Sequence, residues 1–297
     1  MAIDDSNQLF VDKYSEKITF AGAKHPRVKQ AEHLLNNTKP NPRGLAVIEG
    51  LWALGLALKN NLQIESFIFC PEMLRSPEAE AMVAAFIRRA MSSCLVSAKV
   101  FGKISERGRG DGLLAVVAMP KHSLEEIPQK ENSLVIVLDG LEIPGNIGTI
   151  IRAGDGAGAT GVIIVNRKAR LNHPKLVRSS QGAVFSLPLV ECELEQAFAW
   201  LDKNNYTIYL TDTDATSDYF QAHYQGHCAL VAGSERYGIS RAWYSRPHTK
   251  IRVPMYGDCD SLNVGVATTI MLYEASLQLK GRIARERKAS RPGADMI

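Results

Sequence analysis

The chain has 297 residues, 45% hydrophobic and 22% charged, the balance of a globular protein with room for one large domain or two ordinary ones. No apolar run approaches the ~20 residues that span a bilayer, and the N-terminus shows no basic-then-apolar leader, so a non-membrane, cytoplasmic protein is expected. The net charge is +4, yet Lys280, Arg282, Arg285, Arg287, Lys288 and Arg291 stand against only Glu286 and Asp295 in the last stretch, leaving residues 1–279 formally neutral. A basic tail on a neutral body suits a polyanion, because each phosphate contact releases counterions, although a solvated helix end has the same composition.

Cys70, Cys94, Cys192, Cys228 and Cys259 are scattered and never form Cys-x-x-Cys, which argues against a disulfide framework or zinc ribbon and fits a reduced compartment. In chain order, residues 1–20 read as an N-terminal arm. A helix is predicted from Arg27 to Asn37, a strand at Leu45–Gly50, a helix at Leu51–Lys59 and a strand at Ile64–Cys70. Pro77–Ala90 reads as helix, Leu95–Ser97 as extended and Leu113–Met119 as an apolar strand, so residues 21–120 form a small α/β domain. Prolines and charges then mark a linker at 121–132.

A second α/β domain is predicted over 133–281, followed by the basic tail 282–297. Its strands are Leu134–Leu138, Val162–Val165, Thr207–Leu210, Ala229–Ala232 and Ile251–Val253, with helices at 148–158, 193–203 and 264–280. Continuous β-branched strands separated by helices indicate a mostly parallel sheet covered on both faces.

Three motifs fit a familiar site only on the surface. Gly156-Ala-Gly-Ala-Thr-Gly161 fits a dinucleotide fingerprint, but it follows a helix and precedes a strand, so a C-cap and turn explain it better than a nicotinamide site. His223-Tyr-Gln-Gly-His227-Cys228 lacks the converging ligands of a zinc site, and no metal is expected. Arg107-Gly-Arg-Gly-Asp-Gly112 is no Walker loop; it reads equally as a basic loop near RNA or a plain turn.

Three segments carry chemistry. Pro144-Gly-Asn146-Ile-Gly-Thr-Ile-Ile-Arg152 follows the first strand of the second domain; Asn146 can cap the helix, and Arg152 is a cation on an apolar, small-residue helix. Gly233-Ser-Glu235-Arg-Tyr-Gly238 sits at the carboxyl end of a hydrophobic strand, where open α/β sheets bind ligands. Ile251-Arg-Val-Pro254-Met255 leads to Ser261-Leu262-Asn263, where Ser261 or Asn263 can cap the last helix. Taken singly, each is also an ordinary turn or cap.

In this order and spacing the three segments resemble the signature motifs of the SpoU (TrmH-like) RNA ribose methyltransferases of the SPOUT superfamily, over approximately residues 133–281. The stretch from His173 to Pro188 belongs to the match. His25-Pro-Arg27-Val-Lys29 and Ala46-Val-Ile-Glu49-Gly50 resemble the family's ribosomal-protein-like RNA-binding domain, with the basic pattern around Gln30 diluted. The resemblance implies a C-terminal trefoil knot, S-adenosylmethionine as cofactor, RNA as substrate and a homodimer with no metal. It implies a cofactor cradle of Gly233, Ile251, Pro254, Met255 and Leu262, with Thr211 added. It also assigns catalytic work to Arg152, Asn146, Glu235, Ser261 and Asn263, and RNA contacts to Arg27, Lys29 and Arg178. Ribosomal RNA is the expected substrate; a transfer RNA ribose methyltransferase and an inactive knotted RNA binder are the alternatives.

Overall fold

The computed structural model describes residues 15–36, 41–105 and 110–283. Most of the N-terminal arm, the Arg107–Arg109 part of the basic loop and the tail from 284 lie outside the described residues. Two compact units divide the chain. One holds the described residues up to His122 with Ile143–Arg152 and Ala169–Leu187; the other holds Ser123–Glu142, Ala153–Lys168 and the residues from Pro188.

The first unit is built on β1 (Ile18–Phe20), α1 (Pro26–Asn36), β2 (Leu45–Glu49), α2 (Leu51–Lys59), β3 (Ile64–Phe69), α3 (Pro77–Arg89), β4 (Ser93–Leu95), α4 (Ala98–Phe101) and β5 (Leu113–Ala118). The sheet order is β1-β4-β3-β5-β2, with β5 antiparallel to β2 and β3 and the other pairs parallel. The central strands β3 and β5 are almost wholly buried, and Val28, Ala31, Ile68, Leu114 and Val116 pack into one core. α3 starts where Ser76 accepts a hydrogen bond from the Ala79 amide (3.2 Å) and Pro77 presets the first turn. The expected extended segment Leu95–Ser97 is displaced: the strand is Ser93–Leu95, because Ser97 is spent as the N-cap of α4, its hydroxyl accepting from the Val100 amide.

The second unit carries six parallel strands: β6 (Ser133–Asp139), β7 (Gly161–Val165), β8 (Leu189–Glu191), β9 (Thr207–Thr211), β10 (His227–Gly233) and β11 (Thr249–Ile251). Between these strands in sequence run α5 (Pro144–Ala157), of which Pro144–Arg152 belongs to the first unit, and α6 (Pro174–Ser180), wholly of the first unit; α7 (Leu194–Lys203), α8 (Arg241–Tyr244) and α9 (Val264–Leu279) belong to the second. Every residue of β6 and β7 is buried, as a parallel strand covered on both faces requires. Each such apolar side chain contributes about 1.5–3 kcal/mol on burial, which is why these runs were legible without alternation.

Two element bounds are corrected, and one motif reads as expected. α5 begins at Pro144 rather than 148, since proline at the first helical position suits an amide-free start; Asn146 therefore lies inside the first turn and does not cap the helix. β11 is Thr249–Ile251 rather than Ile251–Val253, because Pro254 and its predecessor leave the ladder. The Gly156–Gly161 run is indeed a helix end and turn: α5 stops at Ala157, Gly158 takes φ +75° and Gly161 opens β7.

Within the first unit, α5 approaches α6 closely at Gly148. A Cβ there would meet Ser179 Oγ at 2.0 Å, the Leu176 carbonyl oxygen at 2.5 Å and the Ser180 amide nitrogen at 3.0 Å. Alanine would gain about 1 kcal/mol of helix propensity over glycine. Overpacking against a backbone carbonyl costs about 1–3 kcal/mol. Overlaps as deep as these fall at the upper end of that range, so Gly148→Ala is expected to destabilise by roughly 2 kcal/mol net. Denaturant melts showing unchanged or raised stability would contradict this close approach.

Candidate active site

The sheet order of the second unit is β11-β9-β10-β6-β7-β8. From β6 the chain steps outward through β7 and β8, then crosses to the other side of β6 for the remaining strands. The reversal falls between β6 and β10, and open α/β sheets bind ligands at the carboxyl ends of such a pair. At that end Gly233 stands opposite Asp139 in register.

Asp139 is 2% exposed. Its Oδ1 accepts a hydrogen bond from Asn166 Nδ2 (2.6 Å), and its Oδ2 accepts one from the Ser240 amide (2.7 Å). Asn166, which follows β7, adopts the left-handed region at φ +50°. One carboxylate thus ties the ends of β6 and β7 to the loop leaving β10. Sequence reasoning ends this strand at Leu138 and passes over Asp139. The available signal was an acid ending an all-apolar strand just before Gly140.

After β10 the chain folds into a tight hairpin. The Ser234 amide donates to the Gly238 carbonyl (3.0 Å), and the Gly238 amide returns the bond to Ser234 (2.9 Å). A Cβ on Gly233 would lie 2.3 Å from the Gly238 carbonyl carbon and 2.4 Å from the Ile239 nitrogen. Glycine is demanded at 233 by hairpin closure itself. Glu235 is exposed, and its Oε2 accepts from the Glu142 amide (3.2 Å), which pins the hairpin to the chain segment following β6.

Thr211 and Ile251 are register partners at the ends of β9 and β11, and the Asp212 amide donates to the Ile251 carbonyl (3.0 Å). With Gly233 on β10, three of the residues expected to form the cradle therefore occupy one carboxyl edge of three adjacent strands. Asp212 Oδ2 accepts from Tyr244 (2.9 Å) and pairs with Lys250 Nζ (2.9 Å), while Oδ1 accepts from the Asp214 amide (2.8 Å). Burial acts to raise the Asp212 carboxyl, but Lys250, the Asp214 amide and Tyr244 outweigh it and hold the group below the ordinary carboxylate range. Burial and the facing Asp212 push the Tyr244 hydroxyl up to about 12.

Pro254 and Met255 follow β11 and are half-buried, whereas Ser261 and Leu262 are exposed in the next loop. The last helix is capped by Asn263, whose Oδ1 accepts from the Gly265 amide (2.9 Å). Ser261 does not cap it; its hydroxyl is turned to Asp260 Oδ1 (3.0 Å). Asn146 and Arg152 lie on α5, Asn146 half-buried and Arg152 exposed.

Of the RNA candidates in the first unit, Arg27 is half-buried and donates through Nη1 to Glu65 Oε1 (2.8 Å) and Gln30 Oε1 (3.2 Å). Lys29 is exposed and pairs with Glu32 (2.6 Å). Arg178 is exposed on α6 and lines a small cavity of about 50 Å3 with Val47 and Glu49. Both ring nitrogens of His227 face carbonyl oxygens, Nδ1 toward Asn204 (2.7 Å) and Nε2 toward Lys130 (2.8 Å), and Cys228 is buried in β10. Among the described residues no group of three or more His, Cys, Asp or Glu side chains could hold a metal ion, and no helix is long and apolar enough to cross a membrane.

An open parallel sheet with a switch point between β6 and β10 defines the class of α/β proteins that bind ligands at the carboxyl ends of their strands. Residues 133–273 match the SpoU rRNA Methylase family, and residues 25–115 match the MRM3-like substrate binding domain. The chain is 29% identical over 271 residues to the 23S rRNA (uridine(2479)-2′-O)-methyltransferase of Streptomyces viridochromogenes, covering 88% of this chain and 93% of that protein. It is similar to a crystal structure of an RNA 2′-O ribose methyltransferase, at 32% identity and a TM-score of 0.74 over 87% of this chain and 98% of the other. It is also similar to the AdoMet-bound rRNA methyltransferase from Sinorhizobium meliloti, at 27% identity and a TM-score of 0.77 over 87% and 97%. The chain belongs to the SpoU family of RNA methyltransferases.

Asp139→Asn replaces one of two buried acceptors with an amide donor facing an N–H group. An unsatisfied buried donor costs about 1–3 kcal/mol, so the variant is expected to melt earlier and to bind S-adenosylmethionine several-fold more weakly. Calorimetric titration and thermal melts check this, with Asp258→Asn, on the exposed loop, as control. Wild-type affinity and stability in Asp139→Asn would refute the role given to this carboxylate.

Proposed function

We propose that this chain transfers the methyl group of S-adenosylmethionine to a ribose 2′-hydroxyl of ribosomal RNA. The observation that carries the reading is the alignment of Gly233, Thr211 and Ile251 along one strand edge, in a chain of the SpoU family. The edge fits an adenosyl group in kind: strand-end backbone donors and acceptors for its base, and the apolar Met255 and Leu262 beyond them. The sulfonium supplies an already activated methyl, so the protein's task is alignment and handling of one proton.

Residues 133–281 hold cofactor and chemistry in this reading, and 21–120 hold RNA. Gly233, Ile251, Pro254, Met255, Leu262 and Thr211 form the cradle. Arg152 grips the ribose hydroxyl and its neighbouring phosphate through forked hydrogen bonds. A guanidinium stays protonated in water, so the hydroxyl proton passes to phosphate or solvent rather than to Arg152. Asn146 and Arg152 are six residues apart, which on a helix separates them by ~9 Å along the axis and about a third of a turn around it. Helical neighbours that touch are three or four apart, so Asn146 acts on the ribose and not on Arg152.

Glu235 and Asn263 organise the loops: the first ties down the 233–238 hairpin and the second caps α9. Ser261, turned to Asp260, is left for the RNA side. Arg27, Lys29 and Arg178 meet the RNA backbone. The segment after β10 threads a loop as the family's trefoil knot, a reading supported by the out-of-sequence order β11-β9-β10. The chain works as a homodimer through α9, where Val266, Tyr273 and Leu277 form an exposed apolar stripe at helical spacing.

Loss of a group that acts on the transition state costs about 10²–10³-fold in rate. Arg152→Ala is expected to lower methyl incorporation into unmodified rRNA by at least ~100-fold while leaving S-adenosylmethionine affinity within a few-fold. Full activity in this variant would remove Arg152 from the mechanism.

A further inference from the structure

Beneath a groove in the first unit lies a charge that the methyl-transfer chemistry does not use. Glu65 sits on β3, a strand buried at every residue, and is itself only 4% exposed. Isolated burial of a carboxylate is expensive, so it must be paired. It is paired twice. Arg43 donates from Nη1 to Oε1 (2.9 Å) and from Nη2 to Oε2 (2.5 Å), and Arg27 Nη1 donates to Oε1 (2.8 Å). The Arg43 hydrogen bond, with help from Arg27, holds the Glu65 carboxyl below its ordinary range against the opposing effect of burial.

The two cations rise from this buried base toward solvent: side-chain exposure is 6% for Glu65, 32% for Arg27 and 59% for Arg43. They stand on a groove of about 570 Å3 that is also lined by Lys29, Gln30, His33 and Asn41. Arg43 is presented rigidly. It occupies a turn in which the Gly44 amide bonds to the Asn41 carbonyl (3.1 Å), and Gly44 takes φ +62°. The Asn41 side chain clips the far end, accepting from the Leu45 amide (3.0 Å) and donating to the Leu45 carbonyl (2.7 Å).

A buried ion pair is weak evidence for stability, since an apolar replacement is often as good. Its particular contribution here is orientation. Two arginines share one carboxylate, so the trio keeps a net positive charge. Each guanidinium has five N–H donors and uses only two, leaving the others for an incoming anion. Both forks are already immobilised, so less side-chain entropy is lost when an anion is gripped.

We propose that Arg27 and Arg43, held by Glu65, form a preorganised clamp for a phosphodiester of the RNA substrate. The proposal rests on the RNA-methyltransferase reading and adds to it Arg43 as a contact and Glu65 as a positioning residue.

Filter binding to unmodified 23S rRNA transcript, across ~50 to ~200 mM salt, tests it. Arg43→Ala is expected to weaken binding several-fold and to flatten the slope of log K against log salt by about 0.7–0.9, one phosphate contact. Affinity for S-adenosylmethionine, measured by calorimetry, should not move. Glu65→Gln discriminates further. It makes the groove more positive, so a merely electrostatic surface would bind RNA more tightly, whereas a clamp that has lost its base binds it more weakly. If Glu65→Gln melts below the assay temperature, Arg43→Ala alone decides, because its turn is exposed and Arg27 still pairs with Glu65. An unchanged affinity and slope in Arg43→Ala, or tighter binding by folded Glu65→Gln, overturns the clamp. A wild-type chain that binds the transcript but leaves its riboses unmethylated would overturn the enzymatic reading instead.

Discussion

A carboxylate buried at the switch point of a parallel sheet has to find hydrogen-bond donors or pay several kcal/mol in lost solvation. Asp139 finds them in Asn166 and Ser240, and so the ends of β6 and β7 and the loop beyond β10 are held to one geometry. The rest of the site follows from that constraint. With Ser240 fixed, the hairpin from Ser234 to Gly238 must close in the little space left over Gly233, which is why no side chain fits there. With the hairpin closed, Glu235 reaches the Glu142 amide, and the segment entering α5 is set.

Much of this was visible in the sequence, and the rest was hidden for identifiable reasons. β6, β7 and β10 were legible because parallel strands covered on both faces read as unbroken apolar runs. β8 was not: Leu189-Val-Glu191 is three residues long, too short to announce itself. The start of α5 was misplaced because asparagine is a favoured cap, while Pro144 two residues earlier was the stronger start signal. Gly233 stands out in the sequence and in the fold for different reasons. The sequence suggested room for a ligand; the fold shows that the hairpin's own backbone occupies the place of a Cβ.

Asp139 and Glu65 were both missed, and for the same cause. A lone acid at the end of an apolar run, or inside one, has no local signature of its partners. Asn166 is 27 residues from Asp139 and Ser240 is 101, and Arg43 and Arg27 precede Glu65 by 22 and 38. Only the register of the strands brings such groups together. The family's signature loops could be recognised because their residues are contiguous; Asp139, which ties the strand ends beside them, and Glu65, which holds two distant arginines, could not.

The central claim is chemical: this chain puts a methyl group on a ribose oxygen of ribosomal RNA. Incubation of unmodified ribosomal and transfer RNA with S-adenosylmethionine carrying a labelled methyl, followed by alkaline hydrolysis, tests it most directly. A 2′-O-methyl group blocks cleavage at its own nucleotide, so the account predicts label in alkali-resistant dinucleotides derived from ribosomal RNA. Label confined to mononucleotides, label in transfer RNA alone, or no transfer at all would contradict it.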